Sequence, residues 1–293
     1  MSYKEWALTV NGKRHPFGEV EVVRWSIGGR EYRTDDTDRP RADGRFFGRD
    51  YANPGDVEIE LIIRASGKSR QERFDRAMEL REKFTGVWNG EGIRKKVGAV
   101  AELEIAGRAI VTGRPRHVDW DDNVTTFGVI RGTALFVRDF DEAFVPGEGW
   151  QDITVGLIPA QTGGLIAPLS EPLSTSRTST RARPFTVTGN APAWPIITVQ
   201  GPIQSGAKVE LVNGWSLHLN RGLRYDEKAV FDTRPGQRTM KLNGKAVNLL
   251  KPSGARLSQM SLPLGVQEIA LRGTSLEGTA SVRVRWRNSR KVI

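Results

Sequence analysis

The sequence lacks three features that would place it in well-known functional classes. Its 293 residues include no cysteine, only three histidines, and no apolar run approaching the ~20 residues of a membrane-spanning helix. Without cysteine there is no disulfide, no thiolate nucleophile and no cysteine-ligated metal centre. The first residues contain no apolar signal-peptide segment, so we expect neither membrane anchoring nor classical secretion.

Sequence motifs of common enzymes are also absent. The histidines, His15, His117 and His218, stand far apart and lack the spacing of zinc hydrolases. There is no Gly-x-Ser-x-Gly elbow, no Walker phosphate loop and no Gly-x-Gly-x-x-Gly dinucleotide motif. The sequence therefore predicts no enzyme, with no catalytic residue, no cofactor and no metal site.

Two acidic clusters are the remaining candidates for chemistry. In the first, Pro40 and Arg41 break the EF-hand pattern, and interleaved arginines predict a mobile, charge-balanced loop over 35–49. The second precedes Asn123 and is typical of a hairpin tip. A retaining glycosidase that draws one carboxylate from each cluster, about 5–5.5 Å apart, stays open as an alternative. The clusters are Asp35, Asp36, Asp38 and Asp43, and the run Asp119, Trp120, Asp121 and Asp122.

The net charge of +10 is unevenly distributed. Residues 1–176 carry 25 basic and 28 acidic side chains, whereas residues 177–293 carry 19 basic and 6 acidic ones. This asymmetry, −3 against +13, predicts two domains. The basic half fits nucleic acid, an acidic glycan or an acidic protein as partner, and a merely solvated basic face is the alternative.

The first half has the two-residue periodicity of β-strands. Val57 to Ile63 alternates apolar and polar side chains, and Ala106-Gly107 joins two short strands into a hairpin. A slip of the apolar pattern between Val22 and Val23 indicates a β-bulge. One segment differs: a capping box begins at Ser69, and helical spacing then predicts a single helix over 69–85 that ends at Gly86.

The second half predicts a β-sandwich after a polar linker. Residues 146–184 are rich in Gly, Pro and Ser and predict an extended linker. From 185 onward, short strands return, with Asn-Gly turns at 213–214 and 243–244. The closing strand alternates apolar residues with Arg283, Arg285 and Arg287, which form a candidate interaction surface.

Three tryptophans of the second half need a separate interpretation. Trp215 and Trp286 share an apolar face with aliphatic neighbours, which favours core packing over sugar stacking. Trp194 is the candidate platform if the domain binds carbohydrate. Nucleic-acid binding by the arginine face is disfavoured, because no aromatic side chains interleave with the arginines to stack on bases.

Several segments, in order, resemble one family. They are Trp6 in the opening strand, PGDVEIELIIRA at 54–65, the helix at 69–85, GGLIAPLSEPL at 163–173, FTVTGNAPAWPIITVQGPI at 185–203, FDTRPGQRTMKLNG at 231–244, LPLGVQEIAL at 262–271 and VRVRWRNS at 282–289. This order resembles the distal tail (Dit-like) protein family of long-tailed siphoviruses, often labelled minor tail proteins in phages of actinobacteria. The loop at 35–49 and the long polar linker depart from it.

The resemblance implies a mainly β fold and a structural role in the virion. It implies a ring-forming β-sandwich domain with one helix over 1–145, the linker over 146–184 and a galectin-like β-sandwich over 185–293. A homo-hexameric ring would join the tail tube protein to the tail-tip hub or baseplate, which carries a lysin-like protein. Its channel would pass the tape measure protein and then DNA in transit.

The resemblance also implies where the protein acts. It would be made in the host cytoplasm and end at the distal end of the phage tail, without a membrane anchor. A carbohydrate-binding host-recognition module of the tail tip is the alternative function, so carbohydrate is retained as a less favoured partner. Fold resemblance by itself does not establish activity.

Overall fold

The chain folds into two compact units. The computed structural model describes residues 5–29, 31–121, 128–157, 182–275 and 279–291. The first unit comprises Met1–Gly147 with Lys291–Ile293, and the second comprises Glu148–Arg290. Both are built mainly from antiparallel strands, so the predicted mainly β class is confirmed. Within the described ranges, no helix is both long enough and apolar enough to cross a membrane.

The first unit is a continuous antiparallel sheet with a helix packed on it. The strand order is β2-β1-β9-β10-β11-β8-β3. The elements are β1 Ala7–Val10, β2 Lys13–Pro16, β3 Val20–Ile27, β4 Glu31–Arg33, β5 Thr37–Asp38, β6 Arg45–Phe46, β7 Tyr51–Asn53, β8 Val57–Arg64, α1 Arg70–Asn89, α2 Glu91–Arg94, β9 Ala101–Ile105, β10 Ala109–Asp121 and β11 Val129–Phe144.

Two long strands, β10 and β11, join the halves of this sheet. The start of β11 pairs with β8, whereas its end pairs with the start of β10, which in turn pairs with β9. Register shifts interrupt the β10–β11 ladder twice, and such shifts let a sheet bend. Both halves contribute to one core, so the sandwich of this unit arises from one bent sheet. Buried members from the two halves include Leu8, Leu103, Ile105, Ile59, Leu61 and Ile130.

Helix α1 begins where the sequence predicts. The Ser69 hydroxyl accepts a hydrogen bond from the Glu72 amide at 3.0 Å, and the Glu72 carboxylate accepts one from the Ser69 amide. The predicted end at Gly86 is wrong. Gly86 is exposed within the helix, the buried indole of Trp88 holds the last turn in the core, and Gly90 ends the helix in the left-handed conformation.

Several local predictions for the first unit are confirmed. The ladder between β3 and β8 shifts register between Val22 and Arg24, as the apolar slip predicted. Ala106 and Gly107 both have positive φ and connect β9 to β10. The short helix α2 follows the single helix that periodicity predicted.

The second unit is a two-sheet β-sandwich. One sheet has the order β12-β21-β14-β17-β18-β19 and the other β13-β20-β15-β16. Both Asn-Gly segments form the predicted hairpin turns, at β15–β16 and β18–β19. The strands are β12 Gln151–Gly156, β13 Ala182–Val187, β14 Ile196–Gln200, β15 Lys208–Leu211, β16 Ser216–His218, β17 Lys228–Asp232, β18 Thr239–Leu242, β19 Lys245–Ala246, β20 Gly265–Arg272, β21 Ser281–Trp286 and β22 Ser289–Lys291, which spans the division between the units.

The core of the second unit lies between its two sheets. Alternate residues of each strand point inward, as for Val282, Val284 and Trp286 of β21. Trp215 and Trp286 are both buried in this core, which confirms the packing interpretation. The Trp215 indole nitrogen donates to the Ser261 carbonyl at 2.7 Å, so its polar atom is also satisfied.

The predicted linker over 146–184 differs from the structure at both ends. Residues of β12 pair with β21 along the whole strand, and β13 begins at Ala182 and pairs with β20. The division between units falls after Gly147. The sequence analysis missed β12 because the residues that follow it are rich in glycine and proline, and the linker predicted from them was extended back to residue 146. Residues 158–181, with the Ser/Thr-rich run, lie outside the described residues.

Candidate assembly surfaces

Residues 31–53 of the first unit form an exposed ribbon, here called the arm. It leaves the sheet after β3 and returns at β8, with β4 paired to β7 and β5 paired to β6. Nearly all its residues are solvent-exposed, including Phe47, whose side chain is 87% exposed. Exposed aromatic side chains grouped on one element indicate an interaction site. The others are Tyr32, Phe46 and Tyr51.

An ion pair, a hydrogen bond from a backbone amide and a contact between a guanidinium and a ring order the arm internally. Arg45 Nε donates to Asp38 Oδ1 at 3.1 Å, and the Gly48 amide donates to Asp36 Oδ1 at 3.0 Å. The Arg39 guanidinium lies 5.1 Å from the centre of the Phe46 ring. Asp38 and Arg45 thus form an ion pair within the segment 35–49, and the β4–β7 and β5–β6 ladders give strand structure where the sequence predicted a mobile loop.

The base of the arm is a close backbone crossing. The Gly28 amide donates to the Asp56 carbonyl at 2.8 Å, and a Cβ at Gly55 would lie only 1.7 Å from the Gly28 carbonyl oxygen. The buried Arg138 side chain donates to the carbonyls of Gly55 at 3.3 Å and Asp141 at 2.6 Å. This guanidinium thus ties the arm base to β11.

The sheet of the first unit has two terminal strands, β2 and β3. Within the described part of the chain, neither pairs with a further strand on its outer side in the sheet order. The β3 strand carries the bulged Val23 and the partly exposed Trp25, which are 56% and 42% exposed. Open strand edges offer unpaired backbone groups to another chain.

The predicted arginine surface of β21 is partly neutralised. Arg283 Nε donates to Asp152 Oδ2 of β12 at 2.9 Å. This hydrogen bond, followed by attraction from the Arg283 and Arg285 charges, lowers the pKa of Asp152 and raises that of Arg283. The Arg285 guanidinium lies 5.1 Å from the centre of the Trp150 ring. The structure therefore brings together two of the three predicted residues with partners that sequence reasoning missed.

Removing the Arg283 guanidinium is expected to raise the pKa of Asp152. Because the lowered pKa belongs to the folded state, the ion pair persists above it and is lost as pH falls through it. In Arg283→Gln, the Asp152 carboxyl is expected to titrate closer to the ordinary value of about 3.9, as measured by NMR. Arg287→Gln is the matched control and leaves that titration unchanged. An unchanged Asp152 pKa in Arg283→Gln would contradict this assignment.

The tryptophans outside the core of the second unit stack on arginines. The guanidiniums of Arg285 and Arg234 lie 5.1 and 5.5 Å from the centre of the Trp150 ring. Arg238 lies 5.9 Å from the ring of Trp194, which is only partly exposed. These contacts occupy aromatic surface that a sugar platform would need, so they do not favour carbohydrate binding.

The three histidines lie on separate strands, and one of them is close to the second acidic cluster. His15, His117 and His218 lie on three different strands, β2, β10 and β16. His117 Nε2 lies 3.6 Å from Asp119 Oδ2 at an exposed position. Across the described ranges, no three His, Asp or Glu side chains are grouped to hold a metal ion. Asp122 and Asn123 lie outside those ranges.

The aromatic residues of the arm were missed by sequence reasoning. Attention to the Asp and Arg residues predicted a charge-balanced loop and left Phe46 and Phe47 without a role. The available signal was their position: two consecutive phenylalanines in a stretch with neither helical nor strand periodicity have no core to enter.

Comparisons with solved structures identify the fold. The SPP1 Dit (gp 19.1) protein, described as a paradigm of the hub adsorption apparatus in phages that infect Gram-positive bacteria, is similar at a TM-score of 0.57 and 12% identity, covering 99% of this chain and 100% of that chain. A chain of the phage p2 baseplate in its activated conformation with Sr has a TM-score of 0.50 and 12% identity, covering 96% of this chain and 97% of that one. No protein-family profile and no curated protein matches. The predicted resemblance to distal tail proteins is therefore confirmed for the fold.

Proposed function

We propose that the chain is a structural virion protein that forms a ring at the distal end of a phage tail. The observation that carries this proposal is the likeness to SPP1 Dit, which extends over 99% of the chain and includes both units. That protein is described as a hub of an adsorption apparatus. Similarity over the whole chain supports the same kind of structural role in the phage tail. The edge strands and the arm of the first unit are surfaces through which copies could assemble.

The proposed ring would use two different surfaces, which are the two edge strands of the sheet in the first unit. A contact between unlike patches, repeated by rotation, produces a closed ring. The β2 and β3 edges lie at opposite ends of the strand order, and the arm projects next to β3. The β2 edge and the β3 edge are different surfaces. Each copy can therefore bind one neighbour through its β2 edge and the other neighbour through its β3 edge. We propose a homo-hexamer with a central channel.

The proposed partners follow from that position in the tail. The ring would bind the tail tube protein on one side and the tail-tip hub, with a lysin-like protein, on the other. The channel would pass the tape measure protein and DNA in transit, and no reaction is catalysed. The protein would be made in the host cytoplasm and incorporated into the virion.

The charge asymmetry supports a fixed orientation between those partners. Residues 1–176 carry a net −3 and residues 177–293 a net +13. Complementary fields select orientation more than they increase affinity. Charge reversal at Arg283, Arg285 and Arg287 is therefore expected to impair virion assembly or partner binding, and unchanged assembly would contradict this role for the surface.

Light scattering and negative-stain electron microscopy test self-assembly. We expect a species of about six times the monomer mass of 32.5 kDa at high concentration, with rotational symmetry and a central hole. A strict monomer at every concentration, with no rings in the micrographs, would contradict self-assembly of the isolated chain. The next experiment would then be calorimetric titration with host-wall polysaccharide, comparing the natural protein with Trp194→Ala.

A further inference from the structure

A cleft in the first unit, here called the basic cleft, is lined by side chains of one charge. It lies between the end of α1, the short helix α2 and the middle of β10, and it has a volume of about 500 Å³. Arg94, Arg114 and Arg116 line it together with His117 and Asn89, and no carboxylate of the described residues does so. Clefts lined by charge of one sign concentrate ions of the opposite sign. The basic cleft therefore favours an anionic ligand.

A β-bulge places two of these side chains in the cleft. The β10–β11 ladder shifts register between Pro115 and Val118, where three steps along β10 match two steps along β11. The additional residue falls at Arg116 and His117, which both line the cleft. Bulges re-aim side chains and are over-represented next to functional sites. Both side chains are exposed, so packing of the core does not account for the bulge.

Backbone carbonyls orient the other two guanidiniums of the cleft. Arg114 Nε donates to the Ala99 carbonyl at 2.7 Å, and its Nη2 donates to the Lys96 carbonyl at 2.9 Å. Arg94 Nη2 donates to the Arg116 carbonyl at 2.6 Å. A carbonyl group has no net charge, so these hydrogen bonds fix the guanidiniums and leave their positive charge uncompensated. Such preorganised donors are suited to binding an anion.

The carboxylates nearest to the cleft in the sequence have other partners. Glu91 lies 3.5 Å from Lys95 Nζ, and Asp119 lies 3.6 Å from His117 Nε2. Within the described ranges, none of the three cleft arginines forms an ion pair, whereas Arg76 of α1 pairs with two glutamates. The three guanidiniums of the basic cleft are therefore available to carboxylates or phosphates of another molecule.

The exposure of the cleft favours a macromolecule over a small ligand. Arg94, Arg116 and His117 are exposed, and Arg114 is only partly buried. Sites for small molecules bury most of the surface of their ligand. An open basic cleft instead needs the surface of a partner to cover it.

The charge of the surrounding unit favours an acidic protein over nucleic acid. Residues 1–147 carry 25 basic and 25 acidic side chains, so this part of the chain is neutral as a whole. Duplex DNA carries one charge per about 1.7 Å of its axis and requires basic surface over a long stretch. The cleft is a single local cluster, and no aromatic ring of the described residues lines it to stack on single-stranded bases. Carboxylates, in contrast, match guanidiniums in short bidentate pairs.

We propose that the basic cleft binds a carboxylate-rich segment of a protein partner. Arg116 forms the bidentate ion pair with this segment, because its guanidinium has no partner among the described residues. Arg94 and Arg114 supply fixed positive charge on either side of it. The inference does not depend on the proposed ring, because residues of a single copy complete the cleft.

A dye attached next to the cleft reports binding there rather than at the basic second unit. The natural chain has no cysteine, and Val97 is fully exposed beside Lys96, whose carbonyl accepts from Arg114. A Val97→Cys protein that carries an environment-sensitive dye is titrated with octaglutamate. We expect a saturable change in fluorescence that weakens as the salt concentration rises.

Two charge reversals in the labelled protein form a matched pair. Arg116→Glu is expected to weaken octaglutamate binding at least roughly tenfold, because it replaces the pairing guanidinium by a like charge. Arg131→Glu changes the net charge equally at an exposed position of β11 outside the cleft, and it is expected to leave binding unchanged. Circular dichroism checks that both variants fold, and Arg116→Gln is a milder second variant that is expected to weaken binding less.

The contrary outcomes separate the cleft from the class of its partner. No dye response to octaglutamate, or equal weakening by Arg116→Glu and Arg131→Glu, would overturn the basic cleft as a binding site. Tighter binding of a DNA duplex of about 12 base pairs, also lost in Arg116→Glu, would overturn the acidic protein as its partner. Neither result depends on whether copies of the chain form a ring, so the proposed function is tested separately.

Discussion

Replacing Trp88 with alanine is expected to lower the free energy of unfolding by about 3–5 kcal/mol. The Trp88 indole is 1% exposed and stacks on Phe84, with ring centres 5.5 Å apart. It also contacts Phe17 and Phe136 edge to face, so it joins helix α1 to the sheet. Alanine at this position leaves a cavity that the surrounding rings cannot fill.

Urea unfolding monitored by circular dichroism measures this loss, with Trp88→Phe as the control. Phenylalanine keeps an aromatic ring against Phe84 and removes an indole nitrogen that has no hydrogen-bond partner among the described residues. Trp88→Phe is therefore expected to cost clearly less than Trp88→Ala. Equal stability of Trp88→Ala and the natural protein would show that the last helical turn is not packed as the structure has it.

Replacing Gly55 with alanine is expected to destabilise the first unit by about 3 kcal/mol. The added methyl group would meet the Gly28 carbonyl carbon and oxygen at 2.3 and 1.7 Å, so backbone at the arm base must move. Such a shift also weakens the hydrogen bond from the buried Arg138 to the Gly55 carbonyl. The Gly55→Ala variant is therefore expected both to be less stable and to have a displaced arm.

Two neighbouring glycines provide matched controls for Gly55→Ala. A Cβ at Gly28 would meet its nearest atom at 3.5 Å, an ordinary contact, and a Cβ at Gly29 would meet no atom within 4 Å. Gly28→Ala and Gly29→Ala are expected to unfold at nearly the denaturant concentration of the natural protein. If Gly55→Ala did the same, the close crossing at the arm base would be wrong.

Local sequence patterns predicted the elements whose causes are local. The capping box at Ser69 fixes the start of α1, and the phase slip beside Val22 locates the bulge, because neither depends on distant residues. The end of α1 depends on tertiary packing. Burial of Trp88 stabilises the extra turn beyond Gly86 by more than the roughly 1 kcal/mol that a glycine costs within a helix.

The candidate surfaces were predicted less completely, because they depend on which strands become neighbours. The arginines of β21 were visible as an alternating pattern, but Asp152 was assigned to the linker. Only the pairing of β12 with β21 places the Asp152 carboxylate beside Arg283. Likewise, one surface groove is lined by residues of β3, β8, β10 and β11, and no sequence spacing records that arrangement.

Electron cryo-microscopy of the tail tip of the phage that encodes the chain tests the central proposal most directly. We predict six copies of this chain around the tail axis, between the last tail-tube layer and the hub, with an open channel through the ring. Density that assigns this position to another protein, with the chain absent or present only as a peripheral appendage, would contradict the proposed function.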